Sequence, residues 1–209
     1  MAKLTKERGS KIREEHSGIL EKQICDNHNL QQIGGSRTKV DGTDGTSNKS
    51  IKNASGSSTQ VHLTTQNHFI KSLEIDNQSI EFIQLFCGNK EMNNKGKDRF
   101  TIGQIDSTST ESFKSFLDKN KSKVIDLIIR NGFDITHVIF NDITNKKEYE
   151  LTYDEIVEKI SKCEWKFMKG GVHLKNTDGK TYFHFQREGK RNPNNRYNVL
   201  WHIHKHLFI

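Results

Sequence analysis

The chain has 209 residues, with 33 Lys+Arg against 26 Asp+Glu and a formal charge of +7; its pI is near 9.2 and its mean hydropathy −0.81. The longest apolar stretches, such as Val124–Ile129, are far too short to span a bilayer, and the charged N-terminal MAKLTKERGSKIREE has no apolar run behind it. A membrane protein and a secreted one are excluded, and a soluble, cytoplasmic protein is expected.

Residues 5 to 27 read as one helix, with Ile12, Ile19, Leu20 and Ile24 at helical spacing and His28 and Asn29 at its end. At 100° per residue Glu15 borders that apolar stripe, while Glu14 and Glu21 lie further round. Three short strands follow, Arg37–Asp41, Lys49–Asn53 and Thr59–Leu63, the first pair turned by Asp44-Gly45 and the second by Ser55–Ser58. Helices are predicted over Gln66–Glu74, over Ser79–Cys87 with Gly88 as its stop, and in two pieces over Ser109–Arg130. Residues 89 to 108 hold a polar loop or small insertion. Thr136–Asn141 and Glu148–Leu151 read as paired strands, and Tyr153–Ser161 as a helix with Ile156, Val157 and Ile160 buried. EWKFMKGGVHLKN, the turn Thr177-Asp178-Gly179 and KTYFHFQRE read as a hairpin, and Asn198–His204 as a last strand. The order predicts one domain over residues 1–209 with an α/β (α+β) fold, a mixed central β-sheet flanked by helices.

The basic surplus favours a polyanion partner, because each Lys or Arg that neutralises a phosphate releases counterions. The three cysteines, Cys25, Cys87 and Cys163, are too widely spaced for a zinc knuckle and read as reduced thiols. His202, His204 and His206 alternate along a strand, where neighbours splay about 7 Å apart, too far for convergence on zinc. No Asn- or Asp–His constellation of an HNH nuclease is present either.

The first hairpin carries the chemistry. Asp41 ends one strand, Asp44 sits in the turn, and Ser50 and Lys52 share a face of the returning strand that Ile51 avoids. A carboxylate facing a lysine across a hairpin is what a metal-dependent phosphodiesterase requires: an aspartate to bind Mg²⁺ and an ammonium to orient the attacking water. Asp41 and Asp44 are both candidates, and the Ile51 backbone carbonyl is a further hard-oxygen ligand. After Lys52, NASGSSTQVHL offers Asn53, Ser57, Ser58, Gln60 and His62 to phosphates and base edges. FQREGKRNPNNRYN sets Gln186, Arg187, Lys190, Arg191 and Arg196 around a loop suited to a major groove.

On Asp41 or Asp44 followed by SIKNAS, with Lys52 matching the motif lysine, and on Arg8-Gly9-Ser10 opening a glutamate-bearing helix before a Gly-rich loop, the chain resembles the PD-(D/E)xK nuclease superfamily, and within it small type II restriction endonucleases. The resemblance implies a restriction-endonuclease-like fold and a glutamate from the first helix in the metal shell. Glu14 or Glu15 would match, with helical geometry favouring Glu15. Ser50 departs from the pattern, standing where the family places Asp or Glu. The Gln186-Arg187 pair before a basic Gly-containing turn is similar to the family's C-terminal region. The resemblance implies an Mg²⁺-dependent endonuclease cutting double-stranded DNA as a homodimer, with no small-molecule substrate. The alternatives are a non-catalytic DNA- or RNA-binding protein and an adaptor whose basicity is compositional.

Overall fold

The computed structural model describes residues 18–33, 39–91, 98–188 and 196–209. Helix α1 spans Glu21–Asn27, and the first half of the helix predicted over 5–27 lies outside the described residues. Short strands β1 (Gln31–Gln32) and β2 (Gly42–Thr43) lead to β3 (Asn48–Ala54) and β4 (Ser58–Thr64). Helices α2 (Gln66–Leu73), α3 (Asn77–Cys87), α4 (Ser107–Lys119) and α5 (Lys121–Ile129) follow, then β5 (His137–Asp142), β6 (Lys147–Thr152) and α6 (Tyr153–Ser161). The chain closes with β7 (Glu164–Met168), β8 (Gly171–Lys175), β9 (Thr181–Arg187) and β10 (Val199–His204). The fold is α/β, as expected, with the strands in two five-stranded sheets.

The first sheet, in the order β1-β2-β3-β5-β6, is mixed: β3 and β5 run parallel, and the other neighbours are antiparallel. β5 is buried on both faces, which is why its centre, Val138-Ile139-Phe140, is uninterrupted apolar sequence rather than an alternation. On one face Ile51 and Ile139 pack with Ile24, Cys25 and Leu30 from α1 and its exit. Burying a side chain of that size contributes about 1.5–3 kcal/mol, so this small cluster fixes α1 against β3. On the other face Val138 and Phe140 join the main core.

Two features differ from the sequence expectation. Of the strand expected over Arg37–Asp41, Arg37 and Thr38 lie outside the described residues, residues 39–41 form no strand, and the short β2 starts one residue after Asp41. β3 and β4 also belong to different sheets, so the bend at 55–57 carries the chain across rather than closing a hairpin. The reason is that β3 takes β5 as its neighbour from Lys49 to Ala54, while β4 pairs with the distant C-terminal strand β10.

The second sheet, β4-β10-β9-β8-β7, is antiparallel throughout. Its inner face sets Phe185, Trp201 and Trp165 against Phe69 of α2, Phe82 and Phe86 of α3 and Phe113 of α4, with Phe82 and Phe113 ring centres 4.7 Å apart. Helices α2, α3 and α4 start on side-chain caps: Thr65 accepts from the His68 amide, Asp76 from Ser79, Asp106 from Ser109. Thr152 and Glu155 form a reciprocal capping box that starts α6 where the sequence expects it. No helix among the described residues is long and apolar enough to cross a membrane.

Candidate active site

The turn between β2 and β3 is built by Asp44. Its carboxylate accepts from the amides of Thr46 (2.9 Å) and Ser47 (2.7 Å) and from both hydroxyls, at 2.8 and 2.6 Å. These bonds hold the Asp44 carboxyl well below the usual range, the Ser47 and Thr46 hydroxyls most of all. Asp44 is an exposed turn former, with its acceptor capacity committed to its own loop.

Asp41 has a different setting. Its amide still donates to the Lys49 carbonyl (2.9 Å), but β2 does not extend alongside Ile51. The Asp41 carboxylate takes the place of the missing strand, accepting from the Ile51 amide at 2.6 Å and the Ser50 hydroxyl at 3.3 Å. The Lys52 ammonium lies 3.6 Å from the same oxygen, and both side chains are largely buried. In a strand the N–H and C=O of one residue leave on the same side, so the Ile51 carbonyl emerges on the edge where Asp41 sits.

Two further charged groups converge here. Glu21, in the first turn of α1, has its carboxyl pushed up to about 7: burial contributes most, the Asp41 charge adds to it, and Lys52 opposes. Lys39 is tucked under Asp41, donating to the carbonyl of Val61 at 3.0 Å and to that of Ile128 at the end of α5. Burial foremost, then the Lys52 charge, lowers its ammonium to about 7, with Asp41 working in the other direction. The cluster is thus two carboxylates, two lysines and one strand-edge carbonyl. Sequence reasoning missed Glu21 and Lys39. Glu21 lies off the apolar stripe when the helix is considered alone, and the signal for Lys39 was its position two residues before the aspartate.

Among the described residues no three His, Cys, Asp or Glu side chains converge as a metal-binding group. The candidate donors, the Asp41 carboxylate, the Glu21 carboxylate coupled to it electrostatically and the Ile51 carbonyl on the same strand edge, are hard oxygens of few protein ligands. That set suits Mg²⁺, which retains several waters and needs one or two carboxylates. Burial raises Glu21 most and the Asp41 charge adds to it; a divalent cation would offset that added repulsion. Glu15 lies outside the described residues.

The residues expected at DNA are dispersed. Ser57 and Gln60 are exposed and Ser58 is half-buried. Asn53 accepts from the Asn141 amide at 2.8 Å on the α1 side of the sheet. His62, expected at a surface, is buried on β4, where burial foremost and then Lys39 lower its imidazole to about 3. Arg187 donates to the carbonyl of Phe100 at 3.0 Å and lies over the Phe86 ring, and Arg196 pairs with Asp98. Both arginines tie the ends of the β9–β10 connection to the segment after α3, so Arg187, expected at base edges from the end of a strand, and Arg196, expected at phosphates from the loop, are engaged within the fold. Arg99, absent from the sequence reading, bridges the same ends through the carbonyls of Glu188 and Arg196. Gln186 lies on β9 in a row of polar side chains, and Lys190 and Arg191 fall outside the described residues.

No family model and no curated protein matches the chain. Among solved structures it is similar to the crystal structure of restriction endonuclease MspI in complex with its cognate DNA. The sequence identity is 9% and the TM-score 0.47, covering 88% of this chain and 77% of that one. At that identity the likeness assigns no residue a role.

Proposed function

We propose that the protein is an Mg²⁺-dependent endonuclease of double-stranded DNA, of the site-specific type II restriction class and acting as a homodimer. The observation that carries this reading is the Lys52 ammonium 3.6 Å from the Asp41 carboxylate at the open edge of β3, with Glu21 pushed up to about 7 beside them. Asp41, Glu21 and the Ile51 carbonyl would hold the cation. A bound Mg²⁺ supplies Lewis acidity toward a phosphoryl oxygen and acidifies a water. Lys52 donates to the attacking water and screens charge on the phosphate, a role needing its ammonium within reach of the same edge. Lys52 gives the cluster a cation suited to a phosphodiester, with Lys39 held behind it by the carbonyls of Val61 and Ile128.

One feature favours a second reading, a DNA-binding protein without catalysis: Ser50 is fully buried and donates to Asp41 where a ligand carboxylate would otherwise stand. Incubating supercoiled plasmid with the purified protein, in Mg²⁺ and in EDTA, separates the two. Expected is Mg²⁺-dependent cleavage that Lys52→Ala abolishes while duplex binding persists. Binding without cleavage under any divalent cation selects the second reading, and cleavage at the parental rate by Lys52→Ala rejects the site.

A further inference from the structure

The second sheet has an outer face that this chemistry does not use. Strands β4, β8, β9 and β10 contain no Asp or Glu. The one acid of the sheet, Glu164 on β7, is paired with Lys166 at 2.5 Å. While Phe185, Trp201 and Ile203 point inward, the register aligns Lys166, His173, His184, His202 and Gln60 in one row across all five strands. His184 stacks on His173 at 5.1 Å and on His202 at 4.8 Å between ring centres.

These side chains are bound to one another before any ligand arrives. The Gln186 amide nitrogen donates to His202 Nε2 at 3.0 Å, and its oxygen accepts from His184 Nε2 at 3.0 Å. His184 Nδ1 is thereby left to accept from His204 Nε2 at 2.7 Å. Burial holds the imidazoles of His173, His184, His202 and His204 below their ordinary value, so they are neutral at pH 7. Neutral imidazoles and amides each combine donor and acceptor capacity, which phosphates do not require and base edges do.

Resting on the nuclease reading, we propose that this outer face docks on duplex DNA, with the β9–β10 strip facing a groove: His184 and His202 hold the strip in place, and the second N–H of the Gln186 amide and the acceptor Nδ1 of His204 are left for base edges. Charge complementarity selects the partner: four acid-free strands, with Lys175 at one side of the strip and the one acid of the sheet, Glu164, tied to Lys166, oppose a polyanion. The dimensions agree, since five strands at about 4.8 Å spacing are about 19 Å wide, enough for a major groove of about 12 Å and its flanking backbones. The row of imidazoles is rigid because each ring is held by a neighbour, so little ordering is required on binding.

The test inserts an acid into the acid-free strands of this face. Gln60 is exposed and faces His202 across β4 and β10, so Gln60→Glu changes charge without disturbing the core. Lys175→Gln removes a cation from the same face, and Gln78→Glu, exposed in the first turn of α3, is the control. Anisotropy titrations of a labelled duplex in EDTA, at several salt concentrations, read binding apart from cleavage. Gln60→Glu and Lys175→Gln are expected to bind about tenfold more weakly at low salt, each changing the salt slope by about one, with Gln78→Glu unchanged. Wild-type affinity in both face variants, with circular dichroism intact, overturns the docking surface and leaves the nuclease reading standing. A loss confined to single-stranded RNA overturns it in favour of an RNA face, and a wild-type protein that binds no duplex overturns both.

Discussion

Replacing Asp41 by asparagine keeps the shape of the side chain and removes one charge, so its effects on folding and on cleavage can be separated. In the folded protein the carboxylate accepts from the Ile51 amide at 2.6 Å and pairs with Lys52 at 3.6 Å. An asparagine carbonyl still accepts from Ile51, but as a neutral acceptor, and the difference between charged and neutral hydrogen bonds is about 1 kcal/mol. The lost Lys52 attraction is partly offset by the smaller desolvation cost and by relief of repulsion on Glu21, so the net loss of stability comes to about 1–2 kcal/mol. Against a typical total of about 5–15 kcal/mol the fold survives. Cleavage fares differently, because the variant lacks a unit charge and a hard oxygen at the cation. A drop of about 10²–10³-fold is expected, equivalent to about 3–4 kcal/mol of barrier. Plasmid nicking in Mg²⁺ measures the rate, and urea denaturation in EDTA measures the stability. Asp41→Asn that stays folded and cuts within threefold of wild type would refute the assignment of this edge as the active site. Asp44→Asn is the internal comparison, expected to lower stability modestly and leave cleavage nearly unchanged.

Glu21→Gln should lower Mg²⁺-dependent cleavage and also flatten a pH profile. A carboxyl raised from 4.5 to about 7 in the folded state makes wild-type stability fall as pH rises across that window. In EDTA the variant should therefore gain on wild type between pH 5 and 8, and parallel melting curves would remove Glu21 from the cluster. Arg187→Met should cost about 1–3 kcal/mol by unpinning the Phe100 carbonyl, with discrimination between duplexes unchanged; relaxed specificity at full stability would return Arg187 to the DNA. The half-buried imidazoles of His173, His202 and His204, lowered mainly by burial to about 4, 4 and 3, stay neutral in the fold and protonate on unfolding. Stability is then fully present above pH 6.5 and lost as pH falls toward 4, more steeply in wild type than in His202→Gln/His204→Gln; equal slopes by thermal melting would contradict this.

Local signals in the sequence located most elements. Tyr153–Ser161 is where the sequence expects it because Thr152 and Glu155 cap it by neighbouring contacts alone. The alternation Val199-Trp201-Ile203 against His202 and His204 gave β10 its faces for the same reason. Failures occurred wherever distant chain decided the outcome. β3 looked like a hairpin partner for β4, yet Thr136–Asp142, over 80 residues on, takes its edge. Arg187 looked free on sequence because Phe86 and Phe100, its acceptors, are about a hundred residues away. In the cluster around Lys52, the strand alternation put Ser50 and Lys52 on one face, but the roles of Asp41 and Asp44 were inseparable without the turn. Only the turn shows that Asp44 is saturated by Thr46 and Ser47 while Asp41 extends to β3.

Ser50 bears on the whole charge arrangement. Its side chain is fully buried, with Val138 beside it on β5 and the Asp41 oxygen 3.3 Å away. An acid at that position would set two carboxylates together in a buried site, where like charges cannot both ionise without a cation. Serine removes that conflict and contributes a donor that holds Asp41 in place. The second carboxylate of the cluster comes from Glu21, on a helix at the half-buried edge, where solvent shares the cost of its charge. In the proposed reading the negative charge needed for Mg²⁺ is thus retained and relocated from the strand to α1. The packing of Ile24 and Cys25 on Ile51 and Ile139 then has a chemical consequence, since it holds Glu21 within electrostatic reach of Asp41 and Lys52. In that reading, stability of this small cluster and competence of the site are the same requirement.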